Sequence, residues 1–172
     1  FNVSYGDFQS LGKDCSNPFS NCGISFGLEN GTGYSLGSMS SSTVRGGAYG
    51  IVITQTSQAN SFASNVFFNN SLTAMAFHSG FNTVTSNLIY GNGFDGIFAN
   101  SAFNSSLVSS NTVFSNAQQG MDIQGPNNRI TSNRIYANGL NGVNLKLDRN
   151  TLSYNQIYAN GLNGINVAGG AS

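Results

Sequence analysis

Charge is scarce in this chain of 172 residues: six basic and six acidic side chains leave a formal net charge of zero. That balance lacks the basic footprint that nucleic acid or an anionic membrane surface requires, so neither is expected as a partner. No apolar run approaches the roughly 20 residues that cross a bilayer, and membrane insertion by a helix is not expected. No charged-then-apolar leader opens the chain, so an exported form would have Phe1 after a cleavage site. Tryptophan is absent, and proline and cysteine occur twice each. Cys15 and Cys22 bracket SNPFSN, a loop that a disulfide would close; two reduced thiols or part of a metal site are the alternatives. Two thiols without a nearby histidine or a second pair make a poor zinc signal, and neither metal nor cofactor is expected.

What the chain does have is glycine, asparagine, serine and an apolar share of 39%, including 13 Phe and 7 Tyr, enough for a packed interior. Its length fits one domain. N-x-S/T sequons occur at Asn2, Asn30, Asn69 and Asn104, although several arise by chance in so Asn- and Ser-rich a chain. Together with the cysteine pair they point to an extracellular or cell-surface location.

A repeat organises the rest. NVFFNN starts at Asn65, NLIYGN at Asn87, NTVFSN at Asn111, NRIYAN at Asn133 and NQIYAN at Asn155. A period of about 22 residues with no helix-length run predicts stacked coils of three short strands each. Two-residue alternation sends Ile97, Met121, Val143 and Ile165 inward, with Ala99, Ile123, Leu145 and Val167. A second inward column is Phe62, Val84, Val108, Ile130 and Leu152; a third is Phe67, Ile89, Val113, Ile135 and Ile157. Recurrent Asn residues at the corners can hydrogen-bond up the axis and tolerate a left-handed turn, and Gly is expected to do the same at the tightest corners. The aromatic column Phe68, Tyr90, Phe114, Tyr136, Tyr158 stacks along the axis; its direction, in or out, stays open.

These motifs resemble the right-handed parallel β-helix of the pectin-lyase-like superfamily, in its Asn-rich N-x-I-x-x-N form, from about Gly23 to Val167. The resemblance implies an all-β solenoid over residues 23–172; the N-terminal stretch departs from the period, so residues 1–22 are expected as a cap or arm carrying the cysteine loop. It leaves function open, because that fold carries lyases, epimerases, adhesins and non-catalytic surface proteins. In the polysaccharide-acting relatives chemistry sits on the outer face of the strand equivalent to Gly-Ile-x-Val. Outward positions there are Phe98, Asp122, Asn144 and Asn166 in one column, and His78, Asn100, Gln124 and Lys146 in the next.

His78, Asp122 and Lys146 are therefore the catalytic candidates should the protein be an enzyme, and Phe98, Asn100, Gln124 and Asn144 the candidate glycan contacts. The catalytic pattern is incomplete. Lyases of this fold collect several carboxylates around calcium, whereas the face offers one, and the Asp-Pro-His signature of mannuronan epimerases is absent. Asp95, just before a turn Gly, reads as part of a polar turn ladder with Gln119, Asn141 and Asn163, on a different face from Asp122. The final coil ends at GLNGINVAGGAS with Ile165 and Val167 uncovered, and solenoids normally protect such edges. The leading expectation is thus a secreted structural protein whose subunits associate end to end into a filament. The alternative is a carbohydrate-binding or polysaccharide-modifying β-helix with glycans as partners.

Overall fold

In a computed structural model that describes residues 1–12, 23–27, 36–147 and 149–168, the chain is a right-handed parallel β-solenoid. Three-residue strands form three parallel sheets of seven strands each. The first sheet runs from Asn2–Ser4 to Thr151–Ser153, the second from Asp7–Gln9 to Gln156–Tyr158, and the third from Ile24–Phe26 to Ile165–Val167. Each strand pairs in register with its equivalent one coil on. Val84 lies against Phe62 and Val108, Ile89 against Phe67 and Val113, and Ile97 against Met75 and Met121.

Residues 1–12 correct the expectation of a cap lying over the first coil. Asn2–Ser4 and Asp7–Gln9 are the first two strands of that coil, paired with Ser38–Ser40 and Thr43–Arg45. Val3 and Phe8 turn their apolar side chains toward the core, which explains the alternation of FNVSYGDFQS. Cys15 and Cys22, with the loop between them, lie outside the described residues.

The core is a cylinder filled by the three apolar columns. Met39, Phe62, Val84, Val108 and Ile130 are fully buried from the first sheet, and Phe67, Ile89, Val113 and Ile135 from the second. The third sheet contributes two inward residues per strand, such as Met75 with Phe77 and Met121 with Ile123. Phe26, Phe62, Phe77 and Phe103 pack edge to face or tilted, with centroids 5.1 to 5.7 Å apart.

The corners are built from asparagine. Asn87 at the corner between the first and second sheets shows the pattern. Its Oδ1 accepts from the backbone N–H of Asn65 at 2.9 Å and from Asn65 Nδ2 at 3.0 Å. Its own Nδ2 donates to Phe62 O at 2.9 Å and to Asn111 Oδ1 at 3.0 Å. Asn111, Asn133 and Asn155 repeat this down the axis. A second ladder joins Asn70, Asn92, Asn116, Asn138 and Asn160. The third, Asn60, Asn82, Asn128 and Asn150, is interrupted by Ser106, whose Oγ takes the place of the amide oxygen for Asn82 N–H at 2.9 Å.

The left-handed backbone is not on the ladder Asn, as the sequence suggests, but on the residue before it. Ser64, Ser86, Ser110 and Ser132 precede their Asn with φ between 57° and 58°. These residues are exposed, and the left-handed step resets the strand alternation so that the next side chain, the Asn, points inward. Glycine before the third sheet also has a different reason from the one expected. Gly96, Gly120 and Gly142 have no positive φ; a Cβ there would lie 2.6 to 2.7 Å from the carbonyl oxygen of the corresponding Gly one coil on. Close approach of successive coils, and not turn conformation, requires Gly at these positions.

Asn111→Ala removes the acceptor of Asn87 N–H and the donor to Val84 O, both buried. We expect a loss of about 3 kcal/mol in chemical denaturation, from the cost of leaving buried polar groups unpaired. Gln156→Ala, on the exposed side of the second sheet, is expected to change stability by less than about 0.5 kcal/mol.

Candidate functional site

The outer face of the third sheet carries the columns anticipated from alternation. Phe98 sits in register between Ala76 and Asp122, and Asp122 between Phe98 and Asn144. Ala76 is the small member of this column. Over it lies an open pocket of about 380 Å³, lined by Tyr49, Thr73, Ala76, His78, Phe94, Asp95, Phe98 and Gln118. Phe94 and Phe98 supply aromatic walls, the first of them 43% exposed. The His78 ring lies 6.1 Å from that of Phe98, tilted by 53°.

Next to the pocket, Asp122 is held by its neighbours. Asn144 Nδ2 donates to Asp122 Oδ1 at 2.7 Å, Gln124 Nε2 donates to Oδ2 at 2.8 Å, and Lys146 Nζ lies 3.5 Å from Oδ2. Asn166 Nδ2 continues the line by donating to Asn144 Oδ1 at 2.7 Å. Of the candidates named from sequence, Asp122, Gln124, Asn144 and Lys146 are thus brought together in one hydrogen-bonded group. His78 is two coils away and pairs instead with Asn100, whose Nδ2 lies 2.9 Å from Nδ1. Donation by that amide makes Nδ1 the acceptor and favours the tautomer protonated at Nε2. Burial pushes the His78 pKa below its ordinary value, so the ring is neutral at neutral pH.

Asp95 is the residue that sequence reasoning placed elsewhere. It lines the same pocket as His78 and Phe98, and it lies close enough to Asp122 for the two charges to interact. Its ladder role is real as well. Asp95 Oδ1 accepts the backbone N–H of Gln119 at 2.9 Å, Gln119 Oε1 that of Asn141 at 2.9 Å, and Asn141 Oδ1 that of Asn163 at 3.0 Å. Asp95 is the carboxylate in a stretch of this column that continues with the amides Gln119, Asn141 and Asn163. It is 7% exposed, and burial raises its pKa to about 6, opposed by the Gln119 N–H, reinforced by Asp122 and eased by Lys146. Tyr49 in the same pocket has its phenol pKa raised, first by burial and then by Asp95.

The direction of the aromatic column is settled on the second sheet. Phe68, Tyr90, Phe114, Tyr136 and Tyr158 face outward, stacked at 5.0 to 5.1 Å with ring planes within 10° of parallel. The guanidinium of Arg134 lies 4.8 Å from the centroid of Tyr136, and its Nε donates to Tyr158 Oη at 2.8 Å. Because the rings stack on one another they offer edges outward, and their faces are occupied. Among the sequons, Asn2 and Asn69 are exposed, Asn104 is half-buried, and Asn30 lies outside the described residues.

Residues 22–172 match the family described as right-handed β-helix region, and the chain belongs to that family. Its fold is accordingly the right-handed parallel β-helix. Among solved structures, a point mutant of the periplasmic alginate epimerase AlgG superposes with a TM-score of 0.83 at 23% identity, covering 95% of this chain and 42% of that one. Pectate lyase Pel9A gives 0.71 at 16% identity, covering 92% and 44%. The A-module of the mannuronan C-5 epimerase AlgE4 of Azotobacter vinelandii gives 0.63 at 19%, covering 73% and 42%. The chain therefore spans less than half the length of each. No curated protein sequence matches it.

These matches overturn the leading expectation of a structural subunit assembling end to end into a filament. The structures that share the fold are, by their names, enzymes acting on alginate, mannuronan and pectate, and they favour the carbohydrate reading.

Replacing Asp95 tests its environment. A carboxyl whose pKa rises from 3.8 to about 6 on folding favours the fold fully below 3.8 and withdraws that contribution as pH rises through 6. Asp95→Asn keeps the acceptor for Gln119 N–H and removes the charge near Asp122, Tyr49 and His78. We expect it to stabilise the fold by about 2–3 kcal/mol at pH 8 and to be near neutral at pH 4, read from denaturation curves at both pH values.

Proposed function

We propose that this chain is a polysaccharide-binding β-helix, the glycan-holding segment of a carbohydrate-modifying protein, and that the sugar chain lies along the outer face of the third sheet. One observation carries the reading. The pocket beside Asp122 combines ring walls from Phe94, Phe98 and His78 with a carboxylate, a phenol and an amide from Asp95, Tyr49 and Gln118. Sugar rings present apolar C–H faces and hydroxyl edges together, and such mixed concave sites recognise them by stacking plus a few placed polar groups.

The in-register sheet adds length. Polar groups of Asp122, Asn144 and Asn166 continue from the pocket along the axis, one per coil of about 4.8 Å. A polymer can follow that line where a small metabolite would use the pocket alone. The structural neighbours, an alginate epimerase, a pectate lyase and a mannuronan epimerase, support a polysaccharide as the ligand, and the periplasmic AlgG supports a location outside the cytoplasm, periplasmic or extracellular. Sequons on exposed Asn2 and Asn69 agree with that location.

Binding is tested by calorimetry against polysaccharide fragments. Phe98→Ala is expected to weaken binding at least tenfold while leaving the thermal melting profile nearly unchanged, since its ring is only part-buried on the outer face. Tyr90→Ala, on the second sheet, is expected to leave affinity unaltered. Equal losses from the two variants, or none from Phe98→Ala, would place the sugar elsewhere.

A further inference from the structure

The charges around the pocket address which sugars it accepts, and the answer rests on the polysaccharide-binding reading above. Among the described residues the ion pairs are Arg45 with Asp7 and Lys146 with Asp122. Arg45 and Asp7 belong to the second sheet. Lys146 is the cation among the described side chains of the third sheet's outer columns, and it is already within 3.5 Å of a carboxylate that also holds Gln124 and Asn144.

Asp95 is in a different condition. Its Oδ1 takes the Gln119 N–H, but among the described residues no cation forms an ion pair with it and its Oδ2 accepts no hydrogen bond. The described residues of the pocket thus offer an open acceptor, neutral rings and no unengaged positive charge. A ligand carboxylate brought beside Asp95 would be opposed by like-charge repulsion, which a partly buried site screens less than bulk water does. A sugar hydroxyl at the same place would donate to Oδ2, a charge-assisted hydrogen bond of the stronger kind.

The column gives the second argument. Gln119 and Asn141 accept the equivalent backbone N–H, that of Asn141 and of Asn163 respectively, with an amide oxygen. The fold therefore does not require a carboxylate at Asp95, and burial of a carboxylate there is unfavourable. Its charge acts on what enters the pocket.

We infer that the pocket bounded by Phe98, His78 and Asp95 takes an uncharged hexose unit, with its hydroxyls donated to Asp95 Oδ2, and discriminates against hexuronates. The ligand class is then a neutral glycan, or a neutral residue within a mixed polymer, and differs from the alginate and pectate of the structural neighbours' names.

The test uses matched pairs of oligosaccharides of equal length, hexose and hexuronate, in the gluco, manno and galacto series, with glucosamine oligomers as a cationic probe. Calorimetry on the unmodified protein at pH 8 is expected to show at least one neutral oligosaccharide binding tenfold or more tightly than its uronate partner. Asp95→Asn is expected to narrow that ratio several-fold, with the fold checked by its melting profile. A uronate binding as tightly as its neutral partner, or glucosamine binding tighter than both, would overturn the inference and leave the polysaccharide reading standing. Failure of every sugar to bind would overturn the polysaccharide reading itself, and this inference with it.

Discussion

Each corner of the coil would bury backbone N–H and C=O groups that no strand ladder reaches, and the structure depends on how these groups are paired. The asparagine side chain solves the problem because its amide has two donors and one oxygen with two lone pairs. One amide thereby serves the backbone of the coil on one side and the amide of the coil on the other. The arrangement works only if every coil places its Asn at the same height and angle, so the ladders enforce the register that the strands also require. No buried side-chain nitrogen or oxygen among the described residues lacks a partner. In a fold whose strands are three residues long, that completeness replaces the stability a longer ladder would give.

Two costs follow from this solution. The residue before each ladder Asn takes a left-handed backbone, even where it is Ser86, Phe81 or Tyr154, at roughly 1 kcal/mol or more each. Gly50, Gly96, Gly120 and Gly142, each before a strand of the third sheet, leave room for the carbonyl of the next coil, where an added Cβ would clash. Both are repeated, so the repeat itself records them. A local exception therefore stands out physically. Asp95 is one: a buried carboxylate at the head of a run of amides, shifted toward neutrality, and open to a pocket. Ala76 is another, a gap in a column of larger side chains that gives the pocket its floor.

Much of the architecture could be read directly. Coil length, three sheets, the apolar columns and the outward columns of Phe98 and His78 all follow from a period of about 22 and an alternation of two. The pairing of Asp122 with Lys146 also follows, because positions one coil apart are neighbours by construction. Asp95 was misplaced because it sits beyond a corner, where alternation no longer tells which way a side chain points. The odd carboxylate in its column was the available signal. Residues 1–12 were misassigned for a related reason. A long connection separates Asp7–Gln9 from Ile24–Phe26, and no Asn-x-apolar-aromatic motif marks the first coil.

What the sequence determined by itself was everything set by repetition along the axis: the solenoid, its register, its core and its amide ladders. Repetition suffices there because each residue's neighbours are its own equivalents in the adjoining coils. Only the tertiary structure decided what meets sideways across a corner: the pocket joining Asp95 to His78 and Phe98, the outward stack of the aromatic column, and the place of residues 1–12 in the first coil. Those contacts depend on the turning angle of each corner, and that angle is set by three-dimensional packing and not by the period.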